Sequence, residues 1–188
     1  MRLIGDVHGK IAQYVALTSG CTSSIQIGDF GAGFVELPQL NTSHRFIRGN
    51  HDWLDACKLS PNWIADGTVE GDTFYMGGAY SIDQEMRTLG VDYWPDEELS
   101  WPELECMINI YKAVKPRVVI THEAPWIIGR TFWPHLTGCG SRTASALEAM
   151  WDLHKPELHI FGHHHTNIDR MVDTTRFICL AELEYIDI

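Results

Sequence analysis

"GDVHG", residues 5–9, follows the apolar pair Leu3–Ile4, so an aspartate and a histidine lie two positions apart where a strand runs out into glycine. The same shape recurs four times along the chain. "SIQIG" (24–28) runs into "GDFG" (28–31), and "HRFIRG" (44–49) into Asn50, His51 and Asp52. "RVVIT" (117–121) runs into His122, and "LHIFG" (158–162) into His163, His164 and His165. Short β-branched runs bounded by turn formers read as strands, several of them buried on both faces.

Between the strands lie helical patterns. The clearer one opens at Ser100 with Glu103 in capping-box spacing, puts Leu104, Met107, Ile108, Tyr111 and Val114 on one side, and stops before Pro116. Another starts near Ser141, turns Ala144, Leu147, Met150, Trp151 and Leu153 inward, and ends before Pro156. Weaker helical segments fall at about 10–18 and 52–58, and a last strand-like run covers 176–188. Strands alternating with helices predict an α/β domain. With no repeat or linker in view, residues 1–188 are read as one domain, with a turn-rich excursion at about 66–99.

Composition narrows the function. At 188 residues the chain can bury about two-thirds of its unfolded surface. Its 45% hydrophobic and 21% charged content is that of a globular protein. A net charge of −11 repels polyanions and argues against duplex nucleic acid. Five scattered cysteines (Cys21, Cys57, Cys106, Cys139, Cys179) without a C-x-x-C pair suit a reducing compartment, as mostly core thiols. No stretch has the length of a membrane span and no signal segment opens the chain, so the cytoplasm is the expected location.

Taken alone, each polar strand end is explained as a turn or a surface histidine. Together they are oxygen and nitrogen donors from five strand ends with no cysteine, which fits a site for hard to borderline divalent metals. In an open α/β sheet, strand ends converge where ligands bind.

The order GD-x-HG, GD, GNHD, a later His and GH-x-H, from Gly5 to His165, resembles the calcineurin-like metallophosphoesterases. The resemblance implies a two-sheet β-sandwich flanked by helices, a four-layer α/β/β/α arrangement, with a dinuclear metal centre at the strand ends. It implies Asp6, His8 and His165 on one metal, Asn50, His122 and His163 on the other, and Asp29 bridging the two. Manganese is the first expectation, with iron, zinc, nickel or cobalt also suited. Two such cations clamp phosphoryl oxygens and supply a bridging hydroxide for in-line attack. The family's catalytic histidine corresponds to His51, which would protonate the leaving group. Asp52 is then either its neighbour's orienting partner or a helix-starting cap.

The protein Ser/Thr phosphatase branch continues its second motif as GD-x-x-DRG, whereas this chain has "GDFGAGF". The branch's phosphate-clamping arginine and the aspartate beside its catalytic histidine are therefore missing. Arg48, and Arg142 after the glycine-rich "TGCGSRT" (137–143), are candidates for holding phosphate; Arg142 reads equally as a charged residue in a helix's first turn. Trp126, Phe132 and Trp133 either wall a pocket for a nucleobase or pack the core. His164, between two ligands in an alternating strand, is expected to point away from them. His44, His135, His154 and His159 carry no motif.

The expected activity is hydrolysis of a phosphomono- or phosphodiester, small or nucleotide-like. The alternatives are a non-catalytic metal-binding scaffold for protein partners and a protein Ser/Thr phosphatase. A structural zinc site fits poorly, because such sites are usually closed by four cysteine-rich ligands.

Overall fold

The structure, a computed structural model, describes residues 1–134 and 140–188. Expectations for His135, Cys139 and most of the glycine-rich 137–140 stretch lie outside the described residues. In chain order the elements are β1 (Arg2–Ile4), α1 (Ile11–Thr18), β2 (Ser24–Ile27), β3 (His44–Ile47), α2 (Leu54–Lys58), β4 (Val69–Glu70), β5 (Thr73–Met76), α3 (Trp101–Val114), β6 (Val118–Thr121), α4 (Trp126–Phe132), α5 (Arg142–Leu153), β7 (Leu158–Phe161), β8 (Ile168–Val172), β9 (Thr175–Cys179) and β10 (Tyr185–Asp187).

The strands form two mixed sheets. The first has the order β10-β1-β2-β3, with β1, β2 and β3 parallel and β10 antiparallel at the edge. The second has the order β4-β5-β6-β7-β9-β8, with β5, β6, β7 and β9 parallel in its centre. Strand periodicity sends alternate side chains to opposite faces, and both faces of each sheet are covered. Leu3, Ile25, Ile27 and Ile47 of the first sheet meet Tyr75, Ile120, Ile160 and Ile178 of the second in a central apolar layer.

Their chain neighbours point outward. Ile4 and Phe46 pack with Tyr14 of α1 and Cys57 of α2. Phe74, Met76 and Val119 pack against Leu104 and Tyr111 of α3 and Leu147 and Met150 of α5. The result is the expected helix–sheet–sheet–helix layering. Each fully buried Leu, Ile or Phe contributes about 1.5–3 kcal/mol of transfer free energy, so the three apolar layers dominate what holds the sheets in place.

The two helices with clear sequence signals begin as read: Ser100 and Glu103 form the capping box of α3, and the Ser141 hydroxyl accepts the Ala144 N–H at the start of α5. Their last apolar residues do not reach the core, since Val114 and Leu153 are exposed.

Two expectations need correction. The 66–99 excursion is shorter than read, because β5 lies inside the second sheet; its "TFYM" is a buried strand hidden among turn residues. The 176–188 run is two strands in different sheets, separated by a turn with Leu183 at φ 58°. Strand β8 went unread because "IDRMV" is a sheet edge with three exposed central residues, giving no apolar pattern.

Candidate metal centre

The parallel strands end on a common edge, and the donor residues come one to four positions beyond the last strand residue. Asp6, Asp29 and Asn50 follow β1, β2 and β3; His122 follows β6, and His163 and His165 follow β7. The first sheet therefore supplies four of the seven donors, His8 included, and the second supplies three. Of seven non-glycine residues with positive φ among the described residues, four belong to this set: His8 (47°), Asp29 (57°), His163 (66°) and His165 (49°). Left-handed backbone costs a non-glycine residue about 1–2 kcal/mol, and such outliers gather where geometry serves a site.

Glycines make the room. A β-carbon on Gly28 would overlap the His122 ring, one on Gly49 the Asp29 carboxylate, and one on Gly162 the Asp6 carboxylate. These three glycines are thus a space requirement set by a donor residue from another strand.

Asp6, His8, Asp29 and His165 each place one donor atom within 4.8 Å of all the others. His8 Nε2 is 2.9 Å from His165 Nε2, and 3.8 Å from both Asp6 Oδ2 and Asp29 Oδ2. His165 Nε2 lies 3.0 Å from Asp6 Oδ2, yet that buried oxygen has no hydrogen-bond partner. Donors bound at about 2.0–2.2 Å to one ion sit about 3–3.5 Å from one another. The four donor atoms are close enough to one another to be ligands of one cation.

A second group lies on the other side of Asp29. His122 Nε2 is 3.4 Å from Asp29 Oδ1 and 3.0 Å from Asn50 Oδ1, while His122 Nδ1–H donates to the Ile27 carbonyl at 2.9 Å. That carbonyl holds the ring so that Nε2 is directed at Asp29 and Asn50. The His163 ring centroid is 5.2 Å from that of His122, and its Nε2 faces Glu123 Oε2 at 3.6 Å, leaving Nδ1 available. Asp29 is the shared member, one oxygen toward each group. It is steadied by the His51 N–H, which donates to Oδ1 at 2.8 Å.

The electrostatics favour positive charge at this point. Burial would raise the Asp29 pKa, yet His122, His51 and His8 hold it well below the usual carboxylate range. Burial likewise opposes a charged His122, but Asp29 and Asp6 outweigh it and raise its pKa. Burial pushes His163 down to about 4, keeping it neutral as a ligand must be.

The site opens into a cavity of about 590 Å³, lined by Asp29, Asn50, His51, Tyr80, Arg87 and Trp133 among others. That is within the usual range for a small-molecule site. His51 stands over the first group, Nε2 4.0 Å from Asp29 Oδ2. Burial lowers its pKa, and the adjacent Arg87 adds to that while Asp29 opposes it.

The chain matches the profile of calcineurin-like phosphoesterases over residues 2–167. It belongs to that family. No curated protein matches the chain. Among solved structures, the chain is similar to "GAP50 the anchor in the inner membrane complex of Plasmodium", at 11% identity and a TM-score of 0.46, over 96% of this chain and 71% of that one.

In this calcineurin-like phosphoesterase the residues expected beyond the ligand set are placed differently. Arg48 is fully buried, with Nε donating to Asp66 at 2.8 Å and Nη1 to the Asp96 and Glu97 carbonyls at 2.9 Å; it does not line the cavity. Arg142 is at the start of α5 beside Glu98, also outside the lining, which is the first-turn reading. Asp52 neither orients His51 nor caps α2, whose N-cap is Trp53. Its carboxylate accepts the N–H groups of Phe30, Gly31, Ala32 and Gly49 at 2.7–3.1 Å, tying the Asp29 loop to the Asn50 loop.

His164 is not turned away: β7 ends at Phe161, strand alternation ends with it, and the ring lines the cavity, stacked on Trp133 at 4.1 Å. Trp133 is the one member of its aromatic trio in the lining. His44, His154 and His159 pair with Ser24, the Pro116 carbonyl and Thr121.

Two functional candidates escaped the sequence reading. Arg87, from the excursion, lines the cavity with its guanidinium against His51, NH1 2.6 Å from Nδ1 and NH2 3.1 Å from Nε2. A neutral imidazole has one acceptor nitrogen, so one of these contacts is a hydrogen bond and the other is packing. Asp83 grips Arg87 from behind, accepting from Nε at 2.8 Å and NH2 at 2.9 Å. Glu123 is buried, and His163 and His164 lower its pKa to about 2 against the effect of burial.

Proposed function

We propose that this calcineurin-like phosphoesterase hydrolyses a small or nucleotide-like phosphomono- or phosphodiester with two divalent cations, manganese being the first candidate. Asp6, His8 and His165 would hold one ion and Asn50, His122 and His163 the other, with Asp29 between them. The observation that carries the reading is Asp29: buried, hydrogen-bonded by the His51 N–H, and flanked on opposite oxygens by two donor groups. Bound there, the ions would neutralise phosphoryl oxygens and acidify a water for in-line attack.

The chain's own groups do the rest. His51, in the cavity and beside Asp29, is placed to hand a proton to the leaving oxygen, a contribution of about 10²- to 10⁴-fold. Arg87 is the cavity cation that replaces the family arginine missing from "GDFGAGF"; a guanidinium fixed by Asp83 offers its fork to a phosphoryl group. The stacked Trp133–His164 pair supplies a flat wall on which a base can lie, which supports a nucleotide-like leaving group. The four described cysteines are free thiols, which supports a reducing compartment such as the cytoplasm. No described helix is long and apolar enough to cross a membrane.

The test is turnover of nitrophenyl phosphate mono- and diesters by metal-stripped protein reloaded with Mn²⁺, Fe²⁺, Zn²⁺, Ni²⁺ or Co²⁺. Cleavage of one ester that is lost on stripping and in His51→Ala supports the assignment. Inertness toward both esters with every ion defeats it.

A further inference from the structure

Resting on the assignment of Asn50 to the second ion, we infer that Ser81 and Glu97, from the excursion, are positioning residues that fix which end of the Asn50 amide faces that ion. The inference follows from counting protons. Glu97 is buried, and its carboxylate accepts twice from Ser81, the backbone N–H at Oε1 (2.9 Å) and the hydroxyl at Oε2 (2.7 Å). A hydroxyl has one proton, so with that proton spent on Glu97 the Ser81 oxygen can only accept toward its other neighbour.

That neighbour is the Asn50 side-chain amide, 3.0 Å away. Asn50 must therefore present its NH₂ group to Ser81 and its carbonyl oxygen to the other side. On that side Asn50 Oδ1 lies 3.0 Å from His122 Nε2, at the second donor group. An amide oxygen binds a cation and an amide NH₂ repels one. All three residues are nearly solvent-free, at 3%, 2% and 4% exposure for Asn50, Ser81 and Glu97. The unpatterned excursion thus supplies a one-way hydrogen-bond chain, Asn50 to Ser81 to Glu97, that selects a ligand orientation.

The neighbouring Glu98 serves as an internal control. It is as buried as Glu97, but it accepts from the Ser141 hydroxyl and the Thr143 N–H, and makes no hydrogen bond to Ser81 or Asn50 among the described residues.

The experiment is calorimetric titration of metal-stripped protein with Mn²⁺ alone, on wild type, Ser81→Ala, Glu97→Gln, Glu98→Gln, Asn50→Ala and Asn50→Ala/Ser81→Ala, with thermal melts showing that each is folded. The expected result is two ions for wild type. Ser81→Ala and Glu97→Gln should weaken the second ion about 10- to 100-fold, as for loss of an outer partner of a ligand, and leave the first unchanged. Glu98→Gln should match wild type, and Ser81→Ala should add nothing once Asn50 is Ala. Two ions in wild type with unchanged affinity in both Ser81→Ala and Glu97→Gln would overturn the positioning role while leaving the metal pair standing. Equal weakening by Glu98→Gln would overturn it in favour of general loosening. Uptake of a single ion by wild type would overturn the metal pair and this inference with it.

Discussion

Asn50 and His122 meet across the sandwich, Oδ1 to Nε2 at 3.0 Å, although one follows a strand of the first sheet and the other a strand of the second. Removing either donor should leave the Asp6, His8, Asp29 and His165 group intact. Asn50→Ala and His122→Ala are therefore expected to bind one Mn²⁺ per chain in place of two. Asp29→Ala, which strips a donor from both groups, should bind neither tightly. Ester turnover should fall beyond the roughly 10- to 100-fold typical of losing an outer partner of a ligand. Metal analysis after gel filtration, alongside initial rates, measures both.

Gly28 has φ 103°, and a β-carbon there would occupy the space of the His122 ring. Gly28→Ala should cost about 3 kcal/mol or more, combining a backbone outlier with overpacking. Gly71 also has positive φ, at 58°, but nothing lies within 4 Å of its missing β-carbon, so Gly71→Ala should cost about 1–2 kcal/mol. Denaturant unfolding of the two variants gives the comparison; equal losses would show that the clash with His122 is relieved at no cost.

Asp52 holds four backbone N–H groups, two on each oxygen. In Asp52→Asn one oxygen becomes an NH₂ group, stranding two donors at about 1–3 kcal/mol each. The expected phenotype is a large drop in unfolding free energy with weakened metal binding. Calorimetry of the folded fraction separates this from a chemical role: once fully loaded with metal, Asp52→Asn should turn over faster than His51→Ala.

Arg87→Ala should raise KM for the ester by at least about ten-fold, the loss of charge-assisted hydrogen bonds of about 1.5–3 kcal/mol. Arg87→Lys keeps the charge and loses the fork, so it should recover only part. Steady-state kinetics with competition by inorganic phosphate reads the effect; an unchanged phosphate affinity in Arg87→Ala would remove Arg87 from substrate binding.

His159 is buried away from the metal group. The Thr121 hydroxyl donates to the Glu123 carbonyl, so a neutral His159 Nε2–H donates to the Thr121 oxygen at 2.8 Å. Burial lowers the His159 pKa to about 3, against 6.5 in the open chain. A depressed folded pKa means that protonation favours the unfolded state. The stability from a neutral His159 is complete above pH 6.5 and declines as pH falls toward 3, by about 1.4 kcal/mol per unit. His159→Leu should flatten that limb, seen by denaturant unfolding of metal-free protein between pH 7 and pH 4.

The candidate donors were legible because each lies within four residues of a short apolar strand, and glycine–aspartate or glycine–asparagine at a strand end is a local signal. The layers were legible for the same reason: Leu3 and Ile4, or Phe46 and Ile47, alternate between faces. Arg87, Ser81 and Glu97 were not legible, since they sit in a segment without periodicity whose path alone brings them to the cavity. Arg48 misled for the opposite reason. It stands two residues from Asn50, but its side chain is committed to Asp66 and to the carbonyls at 96 and 97, partners that local sequence does not disclose. His164 misled because strand alternation was extended past Phe161, where the backbone turns through positive φ at His163 and His165.

Asp6, His8, Asp29 and Asn50 ride on one sheet and His122, His163 and His165 on the other, so neither half-sandwich carries the whole donor set. On the proposed function, cation uptake would act as a clasp closed late in refolding, once both halves have docked. An agent that withdrew such ions would then also weaken the seam between the halves, since tight binding to the native state alone adds directly to its resistance to unfolding.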